Sequence, residues 1–305
     1  MSTSAPIPPS VECFTASDGY RLHFRHWVPA IAPPKAHLVA LHGIQSHSGW
    51  YEYSSQRLCN AGYEVSFLDR RGSGLNDFDR GHAPDWTRLV NDVVQFLNFI
   101  RWQAGSAAVS ARRPTVLLGV SWGGKLAAVT AGRRPDLIDA LALLYPGLCA
   151  KVRPRWDQLV RLKLAEILDI RRKLVPIPLR DPAFFTGDPQ WQEFIRQDAR
   201  ALHDVTVSFL LANRELDRLV PGTPVAIRCP VLIMLAGRDR IIDNDATHRY
   251  FDRLGTASKQ LIEYPGAQHT LEFEPSRDDF IADLIDWLDS LLSQAGESTR
   301  GRNET

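Results

Sequence analysis

The feature that most constrains this chain is the stretch 115–128, where a short apolar run leads directly into a serine flanked by glycines. Residues 115–120 are largely aliphatic, as is typical of a strand buried in a parallel sheet. The segment 119–123 reads G-V-S-W-G, and from Trp122 onward the small residues favour a helix. We therefore predict a tight strand-to-helix turn in which Ser121 adopts a strained backbone and presents its hydroxyl beyond the sheet. A glycine-rich turn without chemistry is the alternative.

Strands and helices alternate along most of the chain. After a hairpin formed by residues 11–16 and 20–28, the strands are predicted at 37–41, 63–68, 115–120, 138–145, 231–235 and 260–264. Helices are predicted at 50–60, 86–102, from 122 onward, and near 244–254 and 278–292. This order predicts an α/β fold, with a mostly parallel sheet, helices on both faces and a site at the carboxyl ends of the strands.

One long interruption breaks this alternation. Residues 148–222 contain several prolines and no convincing core strand, so we predict a helical cap inserted into a core formed by 1–147 and 223–305. The cap carries aromatic side chains that could line an apolar substrate pocket: Trp156, Phe184, Phe185 and Phe209, with Trp191 and Phe194 nearby. Packing of the cap onto the sheet is the alternative role for each of them.

The charge is balanced overall and uneven locally. A formal net charge of +1 over 305 residues argues against nucleic acid as the main partner. Residues 151–180 nevertheless hold nine basic and three acidic side chains. This segment could rest on an anionic membrane surface, which would make the protein a peripheral membrane binder. A solvated face of lysines and arginines is the alternative.

The four cysteines lie far apart and form no C-x-x-C pair, which favours a reducing compartment. The first ten residues lack the basic and apolar regions of a signal peptide, and no run approaches the roughly 20 apolar residues of a membrane span. We therefore expect a cytoplasmic protein.

A serine hydroxyl is a weak nucleophile, so Ser121 needs a base to accept its proton and a group that orients this base. His269 lies in a loop directly after the last predicted strand, at the same sheet edge as the serine. For the orienting carboxylate we prefer Asp239, which also follows a strand. Asp243 and Asp245 are rivals, but they lie nearer the start of the next helix, where an acidic residue often serves as a cap.

The order serine, aspartate, histidine, each after a separate strand, resembles the α/β-hydrolase family over nearly the whole chain. Within it the chain looks most like the monoacylglycerol lipase and lysophospholipase branch, on five segments: His42-Gly43, D-R-R-G-S-G at 69–74, G-V-S-W-G at 119–123, G-R-D at 237–239, and G-A-Q-H at 266–269. The resemblance implies oxyanion-hole donors at the backbone N–H groups of Ile44 and Trp122 and a structural role for His42. The cap is not close to the family pattern.

We expect a serine carboxylic-ester hydrolase acting on a lipid-like ester, which the resemblance implies is a monoacylglycerol or lysophospholipid. The same side chains could instead serve an acyltransferase, a thioesterase or an aminopeptidase for short peptides, and a non-enzymatic ligand receptor is a further alternative. No cofactor is expected. His37, His42 and His47 recur every five residues without a cysteine or carboxylate pattern, so no metal is expected either.

Overall fold

The computed structural model describes residues 8–30, 32–106, 113–151 and 163–303, the side chains at 104–106 and 294–303 excepted. The strands are β1 Ser10–Thr15, β2 Arg21–Trp27, β3 His37–Leu41, β4 Glu64–Leu68, β5 Thr115–Val120, β6 Ala140–Leu144, β7 Leu174–Pro176, β8 Asp204–Thr206, β9 Val231–Ala236 and β10 Lys259–Tyr264. The α-helices are α1 Glu52–Asn60, α2 Trp86–Ser106, α3 Trp122–Arg133, α4 Pro189–Gln197, α5 Val207–Leu219, α6 Asn244–Asp252 and α7 Arg277–Asn303.

The main sheet has eight strands in the order β1-β2-β4-β3-β5-β6-β9-β10. The six strands from β4 to β10 in this order are parallel to one another, whereas β1 and β2 are antiparallel additions at one edge. Following the chain from β3, the next strand β4 lies on one side of it and β5 on the other. Ligand crevices of open α/β sheets lie at such a reversal, outside the carboxyl ends of the strands. The fold thus confirms the predicted α/β class.

Helices cover both faces of this sheet, because its strands are apolar on both sides. Every residue of β3, β5, β6 and β9 is buried. Leu41 of β3 and Leu126 of α3 line one small internal cavity, next to α2. Leu38, which points to the other face, lines a second cavity with Leu58 of α1 and Phe280 of α7. Different helices therefore pack on the two faces of the sheet.

The segment between β6 and β9 contributes no strand to the main sheet among its described residues, which are 145–151 and 163–230. It contains α4, α5 and a separate antiparallel pair formed by β7 and β8. That pair was not predicted, because strands of three residues are too short for a periodic signal. The boundaries of the cap at 148 and 222 stay a prediction.

Several helix ends differ from the sequence prediction, and two differences are the clearest. The helix expected at 50–60 begins with a 3-10 turn at Ser48–Tyr51 before α1 starts. The last helix extends to Asn303 rather than to residue 292. Within the part of the chain that is described, no helix combines the length and the apolar character needed to cross a membrane.

Candidate active site

Ser121 lies at the tight turn between β5 and α3. Its backbone has φ 50° and ψ −121°, a conformation that non-glycine residues rarely adopt, so the serine is held under local strain. Three backbone hydrogen bonds fix it: its N–H donates to the Leu144 carbonyl at 3.0 Å, and its carbonyl accepts the N–H groups of Gly124 at 2.8 Å and Gly147 at 2.6 Å. The strained backbone predicted for this residue is thus present.

Glycines allow the strand and the helix to approach each other at this turn. A Cβ atom at Gly119 would lie 2.6 Å from the Gly124 Cα, and one at Gly123 would lie 2.4 Å from the Leu41 carbonyl oxygen. Neither contact is sterically possible without movement of the backbone. Close packing of the backbone therefore requires glycine at both positions of the G-x-S-x-G pattern.

The structure brings the side chains of Ser121, His269 and Asp239 into one chain of hydrogen bonds. The Ser121 Oγ lies 2.8 Å from His269 Nε2, and His269 Nδ1 lies 2.7 Å from Asp239 Oδ2. The imidazole and the carboxylate are almost completely buried, whereas the serine is partly accessible. This arrangement places a base within reach of the hydroxyl proton and a carboxylate behind that base.

Asp239 is held in place by the backbone that follows β9. Its second oxygen, Oδ1, accepts the N–H groups of Ile241 at 2.7 Å and Ile242 at 2.9 Å. The rival Asp243 instead caps α6 by accepting the Ala246 N–H at 3.0 Å, as its position near a helix start predicts.

The loop after β3 lies beside the serine. A Cβ atom at Gly43 would lie 3.4 Å from the Ser121 Cβ and 3.7 Å from its Oγ, so this glycine lies directly against the serine. The backbone N–H groups of Ile44 and Trp122, the two oxyanion donors that the resemblance implies, hydrogen bond to no described residue. Both donors are therefore available to a developing negative charge.

His42 fixes the shape of this loop. Its Nδ1 donates to the Gly43 carbonyl at 2.7 Å, and its Nε2 accepts the backbone N–H of Arg70 at 2.9 Å. Burial lowers the pKa of His42 to about 3, so the ring remains neutral and keeps this one tautomer. The expected structural role of His42 is consistent with these contacts.

The aromatic residues proposed for the pocket occupy different environments. The Phe185 ring lies edge-on to the His269 ring at 6.0 Å, and the Phe185 carbonyl accepts the Thr270 N–H at 2.8 Å. Phe184 is partly buried beneath the Arg240 guanidinium, 4.8 Å away. Phe185 therefore places the segment between β6 and β9 directly against the histidine.

Phe209 lies at the serine turn. It is fully buried and packs against the Trp122 ring at 5.3 Å, which makes it a support for the serine turn. Trp156 lies outside the described residues.

Sequence reasoning missed Tyr145, which follows β6 at the same sheet edge. Its φ is 35°, and its ring lies edge-on to the His269 ring at 5.1 Å. Its position at the end of the predicted strand 138–145 was the available signal.

Asp198 was also missed. It accepts hydrogen bonds from His47 Nε2 at 2.9 Å and from Trp50 Nε1 at 2.6 Å, and so ties the end of α4 to the loop after β3. Its 151-residue separation from His47 left no sequence signal.

The histidines that recur every five residues do not converge. His42 and His47 have the separate partners described above, whereas His37 lies near His26 and Glu64, in a group compact enough to hold a metal ion. The Glu64 carboxylate pairs with His26 Nε2 at 3.0 Å and with the Arg113 guanidinium at 2.6 Å. A cation would have to compete with Arg113, so these contacts describe an ion-pair network.

The basic segment at 151–180 is described only in part, since Arg153, Arg155 and Arg161 lie outside the described residues. Several of its described cations pair with carboxylates, which reduces the charge they present to solvent. These pairs are Lys163–Glu166, Arg171–Asp169, Arg172–Asp79 and Arg180–Asp204.

Comparison with known proteins places the chain in a family. Residues 32–276 match the family model described as serine aminopeptidase, S33. A monoacylglycerol lipase of Mycolicibacterium smegmatis is 27% identical over 287 residues, covering 93% of this chain and 98% of that protein. The phospholipase YtpA of Bacillus subtilis is 26% identical over 263 residues, covering 83% and 95%.

Among solved structures, a soluble variant of monoglyceride lipase from Saccharomyces cerevisiae, in complex with a substrate analogue, superposes with a TM-score of 0.81. The match covers 93% of this chain and 96% of the yeast chain at 19% identity, which supports the α/β-hydrolase fold. The chain therefore belongs to the serine aminopeptidase S33 family and is a serine hydrolase of the monoacylglycerol lipase-like branch of the α/β-hydrolases.

Proposed function

We propose that this protein hydrolyses the ester bond of a monoacylglycerol through an acyl-enzyme on Ser121. The observation that carries the proposal is the hydrogen-bond chain from Ser121 through His269 to Asp239. The similarity to monoacylglycerol lipases supports the choice of substrate.

In the first half of the reaction, the Ser121 Oγ attacks the ester carbonyl carbon while its proton moves to His269 Nε2. The carbonyl π electrons move onto the oxygen, and the N–H groups of Ile44 and Trp122 stabilise the resulting anion. Each such donor contributes on the order of 3 kcal/mol to the transition state. The intermediate then collapses, the ester C–O bond breaks, and glycerol leaves with the proton from His269.

In the second half, a water molecule gives a proton to His269 and attacks the acyl carbon. Collapse of this intermediate releases the fatty acid and returns the proton to the Ser121 Oγ. Asp239 keeps the imidazole oriented throughout and stabilises its cation. The packing of Phe185 against His269 supports a cap that keeps bulk water from the site, and we include residues 148–222 as that cap in the proposal.

The test follows product formation from monoacylglycerols of different chain length, with a competing alcohol present. Hydrolysis yields glycerol and free fatty acid in equal amounts, and Ser121→Ala abolishes both. Predominant formation of a new ester would identify an acyltransferase, and faster release of an amino acid from short peptides would identify an aminopeptidase. Either result would overturn the proposal.

Lysophospholipids are a second candidate substrate class. The Arg240 guanidinium follows Asp239, lies over the Phe184 ring and forms no ion pair with a described carboxylate. An exposed cation beside the site is suited to a phosphate group, and the similarity to a phospholipase agrees with this. For this substrate class, Arg240→Gln lowers kcat/KM for a lysophospholipid more than for the monoacylglycerol with the same acyl chain.

A further inference from the structure

Arg70 is a buried arginine without a carboxylate partner among the described residues. It follows β4 and is 6% exposed. Burial lowers the pKa of its guanidinium to about 9, so the group is still a cation at neutral pH. A buried, unpaired cation is costly, and this one also leaves Nε and Nη1 without a hydrogen-bond partner.

The neighbouring arginine is a useful contrast. Arg71 is equally buried, but its guanidinium donates two hydrogen bonds of 2.8 Å to the Asp92 carboxylate. Asp69, which precedes the pair, is occupied by the backbone N–H groups of Ser48 at 2.7 Å and Leu75 at 2.9 Å. Arg71 is thus paired with a carboxylate, as a structural arginine usually is, whereas Arg70 has no such partner among the described residues.

The contacts of Arg70 converge on the loop that carries the first oxyanion donor. Its Nη2 donates to the Ile44 carbonyl at 2.9 Å, and its backbone N–H donates to His42 Nε2 at 2.9 Å. The loop is therefore held on both sides of Gly43 by one residue.

The same guanidinium also contacts the residue that carries the second donor. Its central carbon lies 4.9 Å from the centre of the Trp122 ring and 4.8 Å from that of Phe209, both within the range of a cation–π interaction. The Trp122 ring is fixed in turn by a hydrogen bond from its Nε1 to the Asn213 side chain at 2.8 Å. Arg70 is thus in contact with both halves of the oxyanion hole.

We propose that Arg70 is a positioning residue for this oxyanion hole, joining the Ile44 loop to Trp122 and placing a fixed positive charge behind the anion that forms on the substrate. The inference rests on the proposed acyl transfer at Ser121. Because the substrate carbonyl becomes an anion only on the way to the transition state, the effect falls on kcat and not on KM.

The test compares Arg70→Met, which removes charge and donors, with Arg70→Lys, which keeps the charge and one donor group. Two inhibitors distinguish the transition state from the bound substrate. An alkyl boronic acid forms an anionic tetrahedral adduct with Ser121 and mimics the transition state, whereas an uncharged alkyl glyceryl ether mimics the bound substrate. We expect Arg70→Met to lower kcat and weaken boronic acid binding by about 100-fold or more, with KM and ether binding changed less than about threefold. Arg70→Lys restores most of both losses.

Arg71→Met is the matched control. It leaves the Asp92 carboxylate buried and unpaired, so it lowers the melting temperature. In the protein that remains folded, the ratio of boronic acid to ether affinity stays at the wild-type value. If Arg70→Met does not fold, Arg70→Gln replaces it as the neutral variant and is compared with Arg70→Lys in the same way.

Three results would overturn the proposal: unchanged kcat in the neutral variant, equal weakening of both inhibitors, or no recovery with lysine. If the wild-type protein itself forms no boronic acid adduct at Ser121, the proposed function fails and this inference fails with it. If the wild-type protein forms the adduct and the Arg70 variants bind the boronic acid as tightly as wild type does, only the role of Arg70 is rejected.

Discussion

The Asp239 carboxylate lies 2.7 Å from the Nδ1 atom of His269, and both side chains are almost completely shielded from water. Because two backbone N–H groups occupy Oδ1 of Asp239, only Oδ2 faces the imidazole. The carboxylate therefore accepts a hydrogen bond from Nδ1–H, which leaves the Nε2 lone pair directed at Ser121. This one contact sets which histidine tautomer meets the serine.

Replacement of Asp239 by asparagine should reverse that tautomer. An amide N–H facing Nδ1 would place the proton on Nε2, where it blocks acceptance of the serine proton. We expect kcat to fall by about 10⁴-fold while the protein stays folded. Asp243→Asn is the control, since asparagine caps a helix about as well as aspartate, and it should keep near-normal activity. Equal losses in the two variants would contradict this assignment.

The contact between Asp198 and the loop after β3 predicts that this residue restrains the motion of α4. Burial disfavours the charged carboxylate, but the hydrogen bonds from His47 and Trp50 outweigh it and hold the pKa of Asp198 at about 2. The contact therefore persists at neutral pH. Asp198→Ala leaves two buried donors unpaired at a cost of about 1–3 kcal/mol, so amide hydrogen exchange of α4 should accelerate.

Glu193→Ala is the matched control for this experiment. Glu193 lies on the same helix and is exposed, and its carboxylate contacts only Arg196 and Gln197 among the described residues. Its removal should leave exchange elsewhere in α4 nearly unchanged. If both variants exchange at the wild-type rate, Asp198 does not restrain α4.

The burial of the Glu272 carboxyl predicts that the stability of the protein depends on pH. Burial raises the pKa of its carboxyl to about 7, although the Ser54 N–H bonded to it opposes the shift. The folded protein thus binds this proton more tightly than the unfolded chain. Its contribution to stability falls as the pH rises from the unfolded pKa of about 4.5 through about 7.

Glu272→Gln removes this titration while keeping the shape of the side chain. Urea unfolding should show the variant gaining up to about 3 kcal/mol relative to wild type between about pH 5 and pH 8.5. Glu215→Gln, a surface change next to Arg218, should show no such pH-dependent gain. A Glu272→Gln gain that is the same at both pH values would contradict a raised pKa.

Local signals were sufficient to predict most of the fold. The strands before Ser121 and Asp239 are short apolar runs, and parallel pairing brings their carboxyl ends, and that of the strand before His269, to one edge. The serine turn was also recognisable, since its glycines sit where backbone atoms approach within van der Waals distance.

The remaining features depend on contacts between distant parts of the chain. The sequence contains two adjacent arginines, and nothing local distinguishes Arg71, which pairs with Asp92, from Arg70, which pairs with no described carboxylate. The prediction that Phe209 lines the pocket rests only on its being an aromatic residue of the predicted cap, and its packing against Trp122 has no local sequence signal. Partners of this kind are set by tertiary packing, which a periodic pattern does not encode.

The central claim is that Ser121 is the nucleophile of an ester hydrolase, and covalent labelling tests it most directly. The protein is treated with a fluorophosphonate while monoacylglycerol hydrolysis and intact mass are followed together. We predict a single adduct, mapped to Ser121 by peptide mass analysis, that forms at the same rate as activity is lost and is absent in Ser121→Ala. An adduct on another residue, or hydrolysis that persists in fully labelled protein, would contradict the account.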